Sequence, residues 1–375
     1  MLAKENIYLL IKNKTSRSGL PMKTFTIEQI MNLAYGASFL GTGGGGQRQS
    51  GMKLINEDID EGRVFKLARL EELREDGLIV SPYYVGAVGR TQGHTSSSDT
   101  AYGATKLLKE YLGKELTGII AAEMGGLATL GALHVAAVEE VPLLDADAAG
   151  RAAPDLQCSI FYVTGLGMTP FSVFTGDGDR LLVKSIASEA QAELIVRGIS
   201  HVTGSSLGIC DHPAKVKEIM NSCIRGTISL AMDIGESLRR GNVGELLRNF
   251  DVYQIFRGIL KTAEHEIREG FTFGTYKLEG TEKFRGKTMK IWFKNENLMS
   301  WIDGKVCVTT PDLITITSLD LTPTSNPIRE KGKEYLVFGL PSDRKWRTKK
   351  GLEVMSPKFF GYDTEFRPIE EVMVK

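Results

Sequence analysis

Cysteine, histidine and net charge are all in short supply in this chain of 375 residues, and each shortage removes a class of function. The four cysteines, Cys158, Cys210, Cys223 and Cys307, lie far apart and form no CxxC pair, which excludes the usual zinc and redox motifs and suggests reduced, buried thiols. The five histidines show no HxxH, HExxH or HxD spacing, so no metal is expected. Lys plus Arg number 46, as do Asp plus Glu, which leaves no overall electrostatic case for nucleic acid or an anionic membrane surface. No apolar run approaches the roughly 20 residues that span a bilayer. The short run Ile7-Tyr8-Leu9-Leu10-Ile11 is followed by Lys12, Lys14 and Arg17 with no small-residue cleavage site, so no secretory leader is expected. The expectation is a cytoplasmic protein with no membrane and no nucleic-acid partner. No Gly-x-Ser-x-Gly elbow, internal repeat or low-complexity linker is present.

Glycine, by contrast, is concentrated. In Leu40-Gly41-Thr42-Gly43-Gly44-Gly45-Gly46, five of the six residues after Leu40 are glycine. Such clustering costs conformational entropy unless the backbone must take positive φ or approach something closely. The run satisfies GxGxxG, yet a helix precedes it where a dinucleotide fold needs a strand, and no Gly-Lys-Ser/Thr follows for a phosphate loop. Two other readings stay open: a tight turn between helices without a ligand, and a cradle of backbone amides for a carbonyl or anionic group.

The helix before the glycines is well marked. Thr26 and Gln29 form a capping box, Phe25 and Ile30 a hydrophobic staple, and Ile27, Ile30, Met31, Ala34, Ala37 and Phe39/Leu40 an apolar face. Met22-Lys23-Thr24 reads as a natural start, which makes residues 1–21 an N-terminal extension, either a disordered tail or an over-long start. A second helix is expected from Gln47 to Asn56, a strand over Leu78-Ile79-Val80-Ser81, and a helix from Thr100 to Leu112. Gly118 to Glu123, Gly125-Gly126, Leu127 to Val138 and Val141 to Asp145 then spell strand, turn, helix and strand, a βαβ unit with a parallel pair. Ile160–Val163 and Phe171–Phe174 suggest a hairpin. Residues 186–262 read as helical. From residue 264 onward, short β-rich runs follow at Lys287–Lys294, Leu298–Ile302, Lys305–Val308, Leu313–Ile316, Tyr335–Phe338 and Leu352–Met355. The fold class is therefore two-domain α/β plus β: an α/β domain over 22–184, then a domain over 185–375, helical to 262 and β-rich over 264–372.

Ligands of open α/β sheets bind outside the carboxyl ends of the strands, which points to Glu123 and to Asp145 and Asp147. The stretch Asp145-Ala146-Asp147-Ala148-Ala149-Gly150-Arg151 joins two carboxylates to a guanidinium. Arg151 is suited to hold a substrate carboxylate or carbonyl, and Asp145 or Asp147 to act as a general base; the same residues also suit an internal pair that fixes the loop. His94 sits in a polar, glycine-flanked loop, whereas His134 lies among Leu130, Leu133 and Ala137 and reads as a packed helix residue.

Taken together, Ala37-Ser38-Phe39-Leu40-Gly41-Thr42-Gly43-Gly44-Gly45-Gly46, Glu123-Met124-Gly125-Gly126 and Asp145-Ala146-Asp147 through Gly150-Arg151-Ala152, Pro154-Asp155-Leu156-Gln157 resemble the S-methyl-thiohydantoin desulfurase-like family, long treated as a domain of unknown function and associated with hydantoinase/oxoprolinase-type proteins. The resemblance continues through Gly270-Phe271 with Gly274, Thr310-Pro311-Asp312-Leu313-Ile314, Trp346-Arg347-Thr348, Pro357 and Phe360-Gly361-Tyr362-Asp363, and so runs from Met22 to the end. One departure is Leu127, where the family pattern often has an Asn after the Gly-Gly. The resemblance implies a hydrolase acting on a small cyclic amide, replacing S-methyl on a thiohydantoin ring by oxygen from water; the alternative is a non-catalytic binding or regulatory subunit. For such a reaction the expected catalytic set is Asp145, Asp147, Arg151 and Glu123, with Gly41, Thr42, Gly43, Gly44, Gly45, Gly46, Gly125, Gly126 and His94 expected to hold substrate. No cofactor is expected. The expected partners are the cyclic amide and a second copy of the chain or a hydantoinase-like protein.

Overall fold

The computed structural model describes residues 23–86, 99–204 and 206–373. The proposed N-terminal extension and the His94 loop lie outside these residues. Nine strands form a first, mixed sheet: β1 (Lys23–Thr24), β2 (Lys66–Ala68), β3 (Leu78–Val85), β4 (Leu116–Ala121), β5 (Leu143–Asp147), β6 (Phe171–Phe174), β7 (Arg180–Val183), β8 (Leu207–Lys215) and β9 (Ile224–Arg225). Their order is β1-β2-β5-β4-β3-β8-β6-β7, with β9 beside β5. Strands β2, β5, β4 and β3 run parallel, so the expected βαβ unit is present.

Helices α3 (Thr100–Leu112) and α4 (Ala128–Val138) pack on this sheet, while α2 (Arg48–Asp60) packs on α4, and α1 (Ile27–Leu40) packs on α8 (Thr227–Arg239) and reaches β15 (Leu313–Thr317) of a second sheet. The capping box of α1 forms as the sequence predicts, with Gln29 N donating to Thr26 Oγ1 at 3.1 Å and Thr26 N to Gln29 Oε1 at 3.0 Å. Buried from Ala128 through Ala137, α4 has no polar face, as befits a helix enclosed by other elements. The chain continues through α5 (Ile160–Thr164), α6 (Glu189–Thr203), α7 (Val216–Ser222), α8 (Thr227–Arg239) and α9 (Val243–Asn249). Helices α1 and α8 cross at near-contact: a Cβ on Gly36 would lie 1.7 Å from the Ala231 carbonyl oxygen.

Seven antiparallel strands form the second sheet: β10 (Tyr253–Arg268), β11 (Phe271–Gly280), β12 (Thr288–Lys294), β13 (Glu296–Ile302), β14 (Lys305–Thr309), β15 (Leu313–Thr317) and β16 (Glu334–Leu340). Ile255, Phe256, Tyr276, Ile291, Phe293, Ile314 and Val337 fill its core. Helices α10 (Lys349–Met355) and α11 (Ile369–Val372) close the chain. The two sheets share a packed boundary, where the Phe39 and Phe338 rings lie 5.7 Å apart and Thr315 Oγ1 donates to the Phe39 carbonyl at 2.6 Å. Among the described residues, no helix is long and apolar enough to cross a membrane.

Four sequence expectations need correction. Ile160–Val163 is a helical turn, because Ser159 caps it through the Tyr162 amide and Gly165 ends it in the left-handed region. Phe171–Phe174 pairs with β7 instead. The helical reading of 186–262 is broken by β8, which is buried between β3 and β6, and by the long strand that opens at Tyr253. Leu352–Met355 lies in a helix capped by Thr348, whose hydroxyl accepts from Gly351 N at 3.2 Å.

The α1–α8 crossing yields a direct test. Gly36→Ala should destabilise the fold by about 1–3 kcal/mol in urea unfolding, because its methyl meets backbone that cannot yield cheaply. Gly198→Ala, on the open face of α6 with nothing within 4 Å, should stabilise by up to about 1 kcal/mol. Equal effects at the two positions would contradict this packing.

Candidate active site

The glycine loop joins α1 to α2 and is pressed between protein surfaces. A Cβ on Gly45 would stand 2.5 Å from Gly125 Cα and 2.7 Å from the Met124 carbonyl oxygen; one on Gly44 would stand 1.8 Å from Glu296 Oε1. The run is therefore glycine because other chain segments pass too close for side chains. Its carbonyls are engaged as well: Thr42 O accepts from Asn297 N and Gly43 O from Asn326 N, each at 2.8 Å, and Gly45 O accepts from Leu127 N and Ala128 N at 3.0 Å. Gly125 and Gly126 are the opposite face of this contact, with Gly126 set against Arg48 and Ser38. Leu127 faces Gly46. This loop joins helices and sheets.

Arg151 is fully buried in the same junction. Its five N–H groups go to five acceptors: Nε to Ala152 O at 3.0 Å, Nη1 to Pro311 O at 2.8 Å and Asp312 O at 3.1 Å, and Nη2 to Thr42 Oγ1 at 3.3 Å and Asn297 O at 3.4 Å. A guanidinium has five donors, so this one has none left for a substrate in this arrangement. Asp145 accepts from Ser229 N at 2.9 Å and Ser229 Oγ at 2.7 Å, and so secures the first turn of α8. Asp147 is buried, with Oδ2 accepting from Gly150 N at 2.7 Å and Ala149 N at 3.0 Å. Burial raises its pKa to about 7 against those two bonds.

Glu123 is placed differently. It follows β4 and lines a cleft of about 510 Å³, open mouth included, beyond the carboxyl ends of β3, β4 and β5. Its Oε2 accepts from Ala153 N at 2.8 Å, and burial pushes its pKa up to about 7 in spite of that bond. Asp147 adds to the rise, and Arg197 and Arg151 oppose it. Behind it, buried Glu296 has its pKa raised well above the carboxylate range, by burial first and by Glu123 second. Among the described residues of the expected catalytic and substrate-holding set, Glu123 is the one in the cleft lining, while Asp147 and Arg151 stand behind it.

The cleft also holds residues that sequence reasoning missed. Arg197 on α6 donates to Glu193 Oε1 at 2.5 Å, Pro154 O at 3.0 Å and Gly270 O at 3.2 Å, and its guanidinium lies 4.0 Å from the Phe271 ring centre. Tyr83 donates its hydroxyl proton to Asp211 Oδ2 at 2.8 Å. His212 sits in β8 with φ +46, a left-handed conformation that a non-glycine residue rarely adopts. Its ring packs on Phe161, with Nδ1 2.8 Å from Asp211 Oδ1 and Nε2 3.8 Å from Glu189 Oε1. Burial lowers the His212 pKa, but the two carboxylates outweigh it and lift the value to about 9. The signal for these residues was the Asp211-His212 pair itself, which sits in a strand and not in the expected helix. Among the described residues, no three His, Cys, Asp or Glu side chains are grouped to hold a metal ion.

Comparison with known proteins now settles the family. Residues 28–185 match the S-Me-THD-like N-terminal domain and residues 187–369 the S-Me-THD-like C-terminal domain. The chain belongs to the S-Me-THD-like family. A crystal structure of a protein from Chromobacterium violaceum is similar over 92% of this chain and 100% of that one, with a TM-score of 0.78 and 20% identity, which is a likeness of fold. No curated protein matches. In this S-Me-THD-like chain the C-terminal match begins before α6, so Arg197, Asp211 and His212 belong to it by sequence. By hydrogen bonding, β8 belongs to the first sheet. Both matched regions therefore build the cleft.

Two measurements follow from this geometry. Arg151→Met should lower unfolding free energy by about 3–5 kcal/mol, since it strips the donor from five acceptors at a buried junction. A variant of unchanged stability but lost ligand binding would instead make Arg151 a substrate residue. His134 provides a second test: Asp58 Oδ2 lies 2.9 Å from its Nδ1 and Asp99 Oδ1 3.2 Å from its Nε2. Burial lowers its pKa, but these partners lift it to about 9. Because His134 and His212 both rise from 6.5, their stabilisation is complete below about pH 6.5 and is lost as pH climbs through 9. The melting temperature should fall across that window, and a flat or rising profile would contradict both placements.

Proposed function

We propose that the protein hydrolyses a small cyclic amide of the S-methyl-thiohydantoin or hydantoin-like class in the cleft beside Glu123, replacing S-methyl by oxygen. The observation that carries this reading is a cleft-lining carboxylate, at the end of a parallel strand, whose pKa is raised to about 7 by burial. A base poised near the working pH is the most effective at taking a proton from water. The family name supports the ring class, and the mixed lining of the cleft, with Leu156 and Phe161 beside Glu123 and Arg197, suits a small polar ring.

The chemistry balances on water alone. Ionised Glu123 accepts a proton from water as the oxygen bonds to the ring carbon that carries sulfur. The C–S bond then breaks. One water proton ends on the ring nitrogen, carried there by Glu123, and the other leaves with sulfur as methanethiol. Arg197 contributes positive charge at the cleft wall while negative charge builds on the ring. Asp147, Arg151 and the glycine loop act from behind, by holding the strand ends and the second sheet in register.

Methanethiol release from purified protein is the assay. Glu123→Gln should reduce kcat by about 10²–10⁴-fold with the melting temperature unchanged. Because the base works ionised, the wild-type rate should rise with pH up to about 7 and then level. Ligand binding without methanethiol release would instead favour a non-catalytic binding subunit, and full activity in Glu123→Gln would remove the assigned base.

A further inference from the structure

Buried polar atoms without partners are concentrated around the cleft. Among the described residues, the buried side-chain atoms that lack a hydrogen-bond partner include Ser81 Oγ, the Tyr84 hydroxyl and His212 Nε2 in the cleft lining, while Asp211 Oδ1 and His212 Nδ1 face each other as an ion pair at 2.8 Å. Such atoms are normally satisfied by protein, water or ligand, so their grouping marks a polar recognition surface. One lining hydroxyl in that surface has a defined direction. Tyr83 donates its proton to Asp211 Oδ2 at 2.8 Å, while the other oxygen of Asp211 lies 2.8 Å from His212 Nδ1. A carboxylate held in an ion pair accepts and does not donate. The proton of the Tyr83 hydroxyl is therefore committed, and what remains on its oxygen is acceptor capacity.

We propose, resting on the cyclic-amide reading above, that Tyr83 determines specificity by accepting a hydrogen bond from a ring N–H of the ligand. Asp211 and His212 are positioning residues that fix the direction of the Tyr83 hydroxyl. Groups facing this array are Asp211 and His212 on β8, Glu189 and Glu193 on α6, and the Phe161 ring. Burial, followed by Asp211, raises the Tyr83 pKa well above its ordinary value, so the phenol keeps its proton. The backbone of His212, at φ +46, is the strained element in the array, and strain of this kind is retained where the side chain it aims has a function. The ligand class is thus narrowed to rings that keep an unsubstituted N–H toward Tyr83; rings methylated there are rejected.

Calorimetric titration of hydantoin, 1-methylhydantoin and 3-methylhydantoin tests this. Wild type should bind at least one of the methylated rings about tenfold more weakly than hydantoin, the ratio expected for one lost hydrogen bond. In Tyr83→Phe, folded by circular dichroism though with a lowered melting temperature because Asp211 Oδ2 loses its donor, that ratio should shrink to within about twofold. Equal affinities in wild type overturn the proposal without recourse to any variant, and a tenfold gap that persists in Tyr83→Phe overturns the assignment to Tyr83. In either of those cases hydantoin still binds and the cyclic-amide reading stands. Failure of wild type to bind all three rings would remove that reading, and this proposal with it.

Discussion

The buried guanidinium of Arg151 is the contact on which the arrangement of the two sheets depends. A charge in the interior is tolerated when every donor finds an acceptor, and Arg151 finds five, drawn from its own loop, the glycine turn and two strands' ends of the second sheet. Thr42 is the shared member: its hydroxyl accepts from Arg151, and its carbonyl accepts from Asn297. The glycine run must be bare of side chains for this junction to close. Glu296, whose pKa is raised by burial first and by Glu123 second, fills the space that a side chain at Gly44 would need. Strand ends, glycine turn and second sheet are thereby held as one body, and the cleft forms at its edge.

Much of the fold is legible in the chain, and its limits are physical. Local rules work where local interactions decide: the Thr26 cap, the helix ahead of the glycines, and the parallel β4-α4-β5 unit are visible because capping and hydrophobic period act within a few residues. They fail where tertiary burial overrides period. β8 is buried on residues of both faces, with α3 packed against it and β3 and β6 paired along its edges, so it lacks the alternation that would separate it from the helices that flank it in sequence. Ser159 and Gly165 were the cues that make Ile160–Thr164 a helical turn, and they outweigh its β-branched and aromatic content.

The proposed site is legible in part for the same reason. The rule that ligands sit beyond strand carboxyl ends points to Glu123, which lines the cleft. Asp147 and Arg151 share that neighbourhood, but three of the five acceptors that occupy Arg151, on Asn297, Pro311 and Asp312, stand 146 to 161 residues away in the chain, beyond the reach of any local pattern. Asp145 reads as chemistry in sequence and is a helix anchor in the fold. Tyr83, Arg197 and Asp211-His212 come from three elements that meet only through sheet topology. Glycine clustering carries a general lesson: close approach of backbone to backbone demands the same residue as close approach to a ligand.

The central claim is that ligand chemistry belongs to the cleft at the ends of β3, β4 and β5 and that the glycine loop is structural. A crystal structure with bound S-methyl-thiohydantoin or hydantoin tests it most directly. The account predicts the ring beside Glu123, within hydrogen-bond distance of the Tyr83 hydroxyl, with the Gly41–Gly46 loop in its present contacts. A ring seated on the amides of that loop, or bonded to Arg151, would contradict it.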